Sequence, residues 1–126
     1  MSKYSSDELH ELRDKAEELR RDLDLDAAIE TMNEFLDNVY PSFTQAQRFF
    51  LAEILFEQNK LSEALDQCNL AIQVMKDFIP ALELRSKIYQ LTNHFQLSEE
   101  DKKTINQIKA AEQAKWDDPD HYYHYK

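Results

Sequence analysis

The stretch Leu61-Ser62-Glu63-Ala64-Leu65-Asp66-Gln67-Cys68-Asn69-Leu70-Ala71-Ile72-Gln73-Val74-Met75 decides the fold, because its apolar pattern already occurs 36 residues earlier. There the apolar positions are Leu25, Ala28, Ile29, Met32, Phe35, Leu36 and Val39; a shift of 36 reaches Leu61, Ala64, Leu65, Cys68, Ala71, Ile72 and Met75, and carries Asn33 to Asn69. Steps of three and four put these residues on one face of an amphipathic helix. Both copies are therefore expected to be helices with the same buried face, Leu65 included.

Each copy follows another helical stripe. Leu9, Leu12, Ala16 and Leu19 precede the first, and Ala46, Phe49, Phe50, Ile54 and Leu55 precede the second. The same shift takes Ala16 to Ala52 and Leu19 to Leu55, so the repeating unit is a pair of helices. A third unit opens near Asp77 and Pro80, since proline suits an early helical position where no N–H is needed. A shift of 34 carries Ala52 to Ser86, Leu55 to Tyr89 and Asn59 to Asn93, after which the register decays, with Cys68 mapping to Lys102. Ser98 with Asp101 reads as an N-cap and an acidic first turn, so a last helix is expected from Ser98 to Trp116, capping the core with a polar outer face. Breaks fall at Asp22 to Asp24, Asn38 to Ser42, Asn59-Lys60 and Asn93-His94, which gives about six helices.

Composition narrows the function. The 126 residues contain no glycine, although about 7% is usual. That argues against tight hairpins, a P-loop and a dinucleotide fingerprint, and leaves helices joined by short ordinary turns. Net charge is −10, from 25 acidic and 15 basic residues, so nucleic acid is not expected, and no stretch approaches the ~20 apolar residues of a membrane span, so insertion into a membrane is not expected either. The charge suits a basic partner, and equally it serves solubility alone. The single cysteine, Cys68, excludes an internal disulfide and falls at a core position. The first residues carry no apolar run, so no secretory signal is expected and the cytoplasm is the expected compartment.

A helical-hairpin repeat of this length, with small residues in both helices, resembles the tetratricopeptide repeat (TPR). The best unit is Leu51-Ala52-x-x-Leu55 followed by Glu63-Ala64-x-x-x-Cys68-x-x-Ala71, and the likeness covers roughly residues 9 to 115. It is good in the second unit, fair in the first and degraded in the second helix of the third. The positions of the family's Trp, Gly and closing Pro carry Arg48, Ala52 and Lys76 instead. The resemblance implies an all-α, right-handed α-α superhelix over residues 1–116, followed by an acidic, aromatic tail at 117–126. It also implies a protein-binding scaffold or adaptor whose first helices line a groove for a partner's peptide or helix, often in a chaperone assembly. A subclass grips a C-terminal carboxylate with a basic clamp. Its five positions align here with Arg13, Glu17, Phe50, Pro80 and Leu84, of which only Arg13 is basic, so that clamp is not expected.

The candidate groove comprises Arg13, Glu17, Phe49, Phe50, Glu53, Phe56, Leu84 and Lys87. One helix face cannot bury Phe49, Phe50, Leu51, Ile54, Leu55 and Phe56 together. Some of these aromatics therefore face the groove or meet another element; alternatively, the helix is central and buried on most sides. An apolar groove with an acidic rim would take an apolar, basic peptide or an amphipathic helix. In the tail, Trp116, Tyr122, Tyr123 and Tyr125 are candidate contacts, either folding back or meeting a partner. His121 and His124 with Asp117, Asp118 and Asp120 offer possible ligands, but two histidines in a tail lacking cysteine are a weak metal signal, and no residue set suggests catalysis, so no metal, cofactor or enzymatic activity is expected. The alternative to an adaptor within a chaperone or trafficking assembly is a homo-oligomeric structural subunit, a homodimer at its simplest.

Overall fold

The computed structural model describes residues 3–117. Six helices occupy them: α1 (Ser6–Arg21), α2 (Leu25–Asp37), α3 (Gln45–Glu57), α4 (Leu61–Val74), α5 (Ile79–Leu91) and α6 (Phe95–Asp117), with no strand among the described residues. Helix α1 starts in a capping box. The Ser5 hydroxyl accepts from the Glu8 N–H at 3.2 Å, and the Ser5 N–H donates to Glu8 Oε1 at 3.1 Å. The backbone bond from Ser5, and after it the Ser5 hydroxyl, holds the Glu8 carboxyl below the usual glutamate range. Its contribution to folding is thus present above the unfolded carboxyl's pKa and lost as pH falls through the lower, folded one. Asp7 and Glu8 at the start, with Arg20 and Arg21 in the last turn, match the helix dipole.

The three hairpin turns are the same object made three times. After α1 the N–H of Leu23 donates to the Arg20 carbonyl and that of Asp24 to the Leu19 carbonyl, both at 2.9 Å. After α3 the corresponding bonds run from Asn59 to Phe56 at 2.9 Å and from Lys60 to Leu55 at 2.8 Å; after α5, from Asn93 to Gln90 at 3.3 Å and from His94 to Tyr89 at 2.8 Å. This paired 5→2 and 6→1 pattern is the Schellman motif, which needs a left-handed residue just past the cap. Leu23, Asn59 and Asn93 supply it with φ of 63°, 60° and 64°. These are left-handed caps rather than ordinary turns. Asparagine tolerates that conformation and leucine does not, so Leu23, 79% exposed, is the poorest of the three.

Contacts divide the chain into two compact units, Met1–Lys76 and Asp77–Lys126. In the first, α1 packs on α2, α3 packs on α4, and α2 meets α3. Ala16, Ala28, Ala52 and Ala64 are all at 0% exposure, so each hairpin buries one small residue from each of its helices. A larger cluster seals the joint between hairpins: Met32, Phe35, Leu36 and Leu51 join Ala16, with Leu9, Leu12, Ile29, Val39 and Phe50 packed around them. Cys68 and Ala71 are buried in α4, as the repeat pattern requires. Leu65 is only half-buried, so it lies at the margin of the core rather than inside it. Helix α4 ends at Val74 and leaves Met75 exposed, outside the stripe to which it was assigned.

In the second unit α5 packs on α6. The register continues further than the sequence suggests, because Ser86 and Ser98 stand where the other hairpins have alanines. Both are buried, and their hydroxyls share a 2.8 Å hydrogen bond. Ser98 is therefore no N-cap. Helix α6 starts three residues earlier, at Phe95, and Ser98 sits on its inner face. Asp101 is likewise no dipole-matching surface acid: it is buried and accepts from Arg85 Nε at 2.9 Å and Nη2 at 2.6 Å. This bidentate pair ties α5 to α6, with the same guanidinium 5.7 Å from the Tyr89 ring centre.

Leu23→Asn brings the first turn into line with the other two. It is expected to raise the unfolding free energy by about 0.5–1 kcal/mol, read from urea denaturation, with no change in far-UV circular dichroism.

Candidate protein-binding face

The candidate residues on the first helices sort into two stripes. On α3, Phe49, Glu53 and Phe56 follow the i, i+4, i+7 spacing that places them on one side, and all three are half-buried. By the repeat, Phe49 and Glu53 correspond to Arg13 and Glu17 on α1. Arg13 is half-buried with its Nε 3.8 Å from Asp14, and Glu17 is exposed. Lys87, exposed on α5, holds the register position of Glu17 and Glu53. Phe50 belongs to the other stripe. Half-buried like Phe49 and Phe56, it packs against the cluster of Met32, Phe35, Leu36 and Leu51. Leu84, its counterpart on α5, is buried at 9% exposure.

A residue outside the repeat's apolar stripes organises this face. Arg20, in the last turn of α1, reaches across to α3. Its Nη1 donates to Glu53 Oε1 at 3.3 Å and its Nη2 to Glu57 Oε1 at 2.6 Å, while its guanidinium lies 5.5 Å from the centre of the Phe50 ring. Two carboxylates and one aromatic face thus hold a single cation whose stem is largely covered. The clasp fixes α1 beside α3 and keeps Glu53 on the rim. The only hint of it in the sequence was a basic residue at a helix end, a position that the dipole alone accounts for.

The rim is acidic at Glu17, Glu53 and Glu57, and apolar between them at Phe49 and Phe56. That arrangement suits noncovalent contact with a basic, apolar segment. Cys68 is buried, and no group of three or more metal-ligating side chains occurs among the described residues. Trp116 is 54% exposed at the end of α6, whereas Tyr122, Tyr123, Tyr125 and the two tail histidines lie outside the described residues. No described helix is long and apolar enough to cross a membrane.

No family model matches the sequence, and no curated protein matches it. Solved structures do. The chain is similar to the first TPR of Spaghetti (RPAP3) bound to the HSP90 peptide SRMEEVD, with 17% identity and a TM-score of 0.73 over 82% of this chain and 81% of that one. It is similar to the second TPR of the same protein, bound to the same peptide, with 15% identity and a TM-score of 0.71 over 79% and 91%. It is also similar to MamA, with 17% identity and a TM-score of 0.72 over 81% of this chain and 58% of that one. At such identities the likeness establishes the fold: helical hairpins of the tetratricopeptide kind.

Removing the clasp tests its worth. Arg20→Ala is expected to lower the unfolding free energy by about 1–2 kcal/mol through lost packing, cation–π contact and charge pairing. Part of that loss should disappear when the measurement is repeated in 1 M salt.

Proposed function

We propose that this chain is a protein-interaction scaffold, an adaptor that holds a peptide or helix of a partner protein and performs no chemistry itself. The observation that carries this reading is the half-buried stripe Phe49, Glu53 and Phe56, steadied by Arg20 beside the exposed Glu17. Two solved neighbours with the same fold hold a peptide, which supports a binding role in general.

The partner segment is apolar and basic. Its apolar side chains would meet Phe49 and Phe56, and its cations would meet the glutamates of the rim in a chain of net charge −10. A carboxylate-gripping clamp is not part of the proposal, because Glu17, Phe50, Pro80 and Leu84 occupy four of its five positions. We place the adaptor in the cytoplasm, in a chaperone or trafficking assembly. Assembly with itself is the competing reading, and sedimentation at micromolar concentration separates the two, since only self-assembly requires a dimer.

A pull-down from a native extract tests the binding face. The wild-type chain should recover a partner that the Phe49→Ala/Phe56→Ala variant recovers about tenfold less well, equivalent to about 1.4 kcal/mol. Circular dichroism should show the variant still folded. Equal recovery by a folded variant would remove this face from the account.

A further inference from the structure

A second surface breaks the chain's own pattern. On the first helix of each hairpin, the repeat places Leu9 and Leu12 in α1 opposite Ile79 and Leu82 in α5. In α3 the same two positions hold Gln45 and Arg48. Polar residues at register positions that are otherwise apolar weaken a fold locally, and such inconsistencies concentrate at functional sites. Gln45 Oε1 is buried with no hydrogen-bond partner among the described residues. Arg48 is half-buried, makes no ion pair among them, and spends one donor on Gln67 Oε1 at 3.3 Å.

Arg48 lines a cavity of about 380 Å³, together with Pro41, Ser42, Thr44, Leu70, Gln73 and Val74. That volume falls within the ordinary range of binding pockets. Among the described residues Arg48 is the one charged member of the lining, and Leu70 and Val74 form its apolar wall. The loop at its mouth departs from expectation in a second way. Phe43 sits at φ 64° and is 86% exposed, and Tyr40 is 80% exposed. A left-handed backbone under a bulky aromatic is an outlier. The buried Thr44 secures this loop, its N–H and hydroxyl both donating to the Pro41 carbonyl.

We infer that this cavity, between the α2–α3 loop and the end of α4, is a docking site for a partner-protein peptide that presents a carboxylate beside an apolar side chain. The carboxylate pairs with Arg48, whose planar fork has donors to spare and no counter-charge among the described residues. The apolar side chain lies against Leu70 and Val74, and Tyr40 and Phe43 close over the segment from the loop. This site is independent of the α1–α3 face and prefers the opposite charge.

The test is a titration of the full ¹⁵N-labelled chain with the capped peptide Ac-Ala-Asp-Leu-Phe-Ala-NH2, and in parallel with the same peptide carrying Asn in place of Asp. The Asp peptide is expected to shift the amides of Ser42, Phe43, Leu70, Gln73 and Val74, and the Asn peptide to bind at least about tenfold more weakly. Arg48→Leu restores the repeat, so it should raise Tm while abolishing the shifts; Arg48→Gln, which keeps a polar side chain without charge, should erase the preference for Asp. The inference is overturned by equal binding of the two peptides, by absence of shifts at millimolar peptide, or by binding that survives Arg48→Leu. It is also overturned if Arg48→Leu lowers Tm, which would make Arg48 a structural residue. A dimer of the wild-type chain that Arg48→Leu dissolves would make the occupant a second copy and equally defeat the proposal.

Discussion

Two helices of a hairpin approach closely only where neither puts a bulky side chain between their axes. Here that condition falls on six residues: Ala16, Ala28, Ala52, Ala64, Ser86 and Ser98, all buried. In the first four the side chain is a methyl group. In the last two it is a hydroxymethyl, whose polarity is answered by a hydrogen bond between the two hydroxyls and by the Ser98 carbonyl, which accepts from the Ser86 hydroxyl at 3.3 Å, so that each donor has an acceptor in the core. Larger residues cluster around these points, as Met32, Phe35, Leu36 and Leu51 do beside Ala16. The crossing sets the register of each pair, and with it which side chains are left facing outward.

The turns follow from that spacing. Helices packed closely and antiparallel must be joined within a few residues, and the Schellman turn reverses the chain while satisfying the last carbonyls. A sequence without glycine makes it with asparagine twice and with leucine once. Charge then acts on the finished frame. Arg20 draws α1 to α3 over the Phe50 ring, and Arg85 draws α6 to α5 through Asp101. Arg48 has no such partner among the described residues, which is what sets it apart from the other two.

The repeat was legible because alanine recurs at fixed intervals, from Ala16 to Ala52 and from Ala28 to Ala64, within an apolar stripe. The third hairpin hid its register because serine is ambiguous. The same residue type caps helices and fills small buried spaces, and Ser98 followed by acids looks like a cap until Ser86 is seen opposite it. The left-handed turns were invisible at Leu23, where nothing in the residue type suggests them. On α3, periodicity showed that too many aromatics compete for one face but not how they divide; all three of Phe49, Phe50 and Phe56 are half-buried, and Phe50 is the one that packs against the Met32, Phe35 and Leu36 cluster on α2. Arg20 and its glutamates are 33 and 37 residues apart, a pairing that spacing along one helix does not reveal.

If side-chain size at the crossing governs the hairpins, a graded series at Ala64 reads it out. Urea unfolding of Ala64→Ser and Ala64→Leu should separate the two sharply. Serine, which the third hairpin already uses at this position, should change stability little. Leucine should cost about 3 kcal/mol or prevent folding, because it forces the pair apart. A leucine variant as stable as the wild type would show that the hairpins do not depend on close approach at this point.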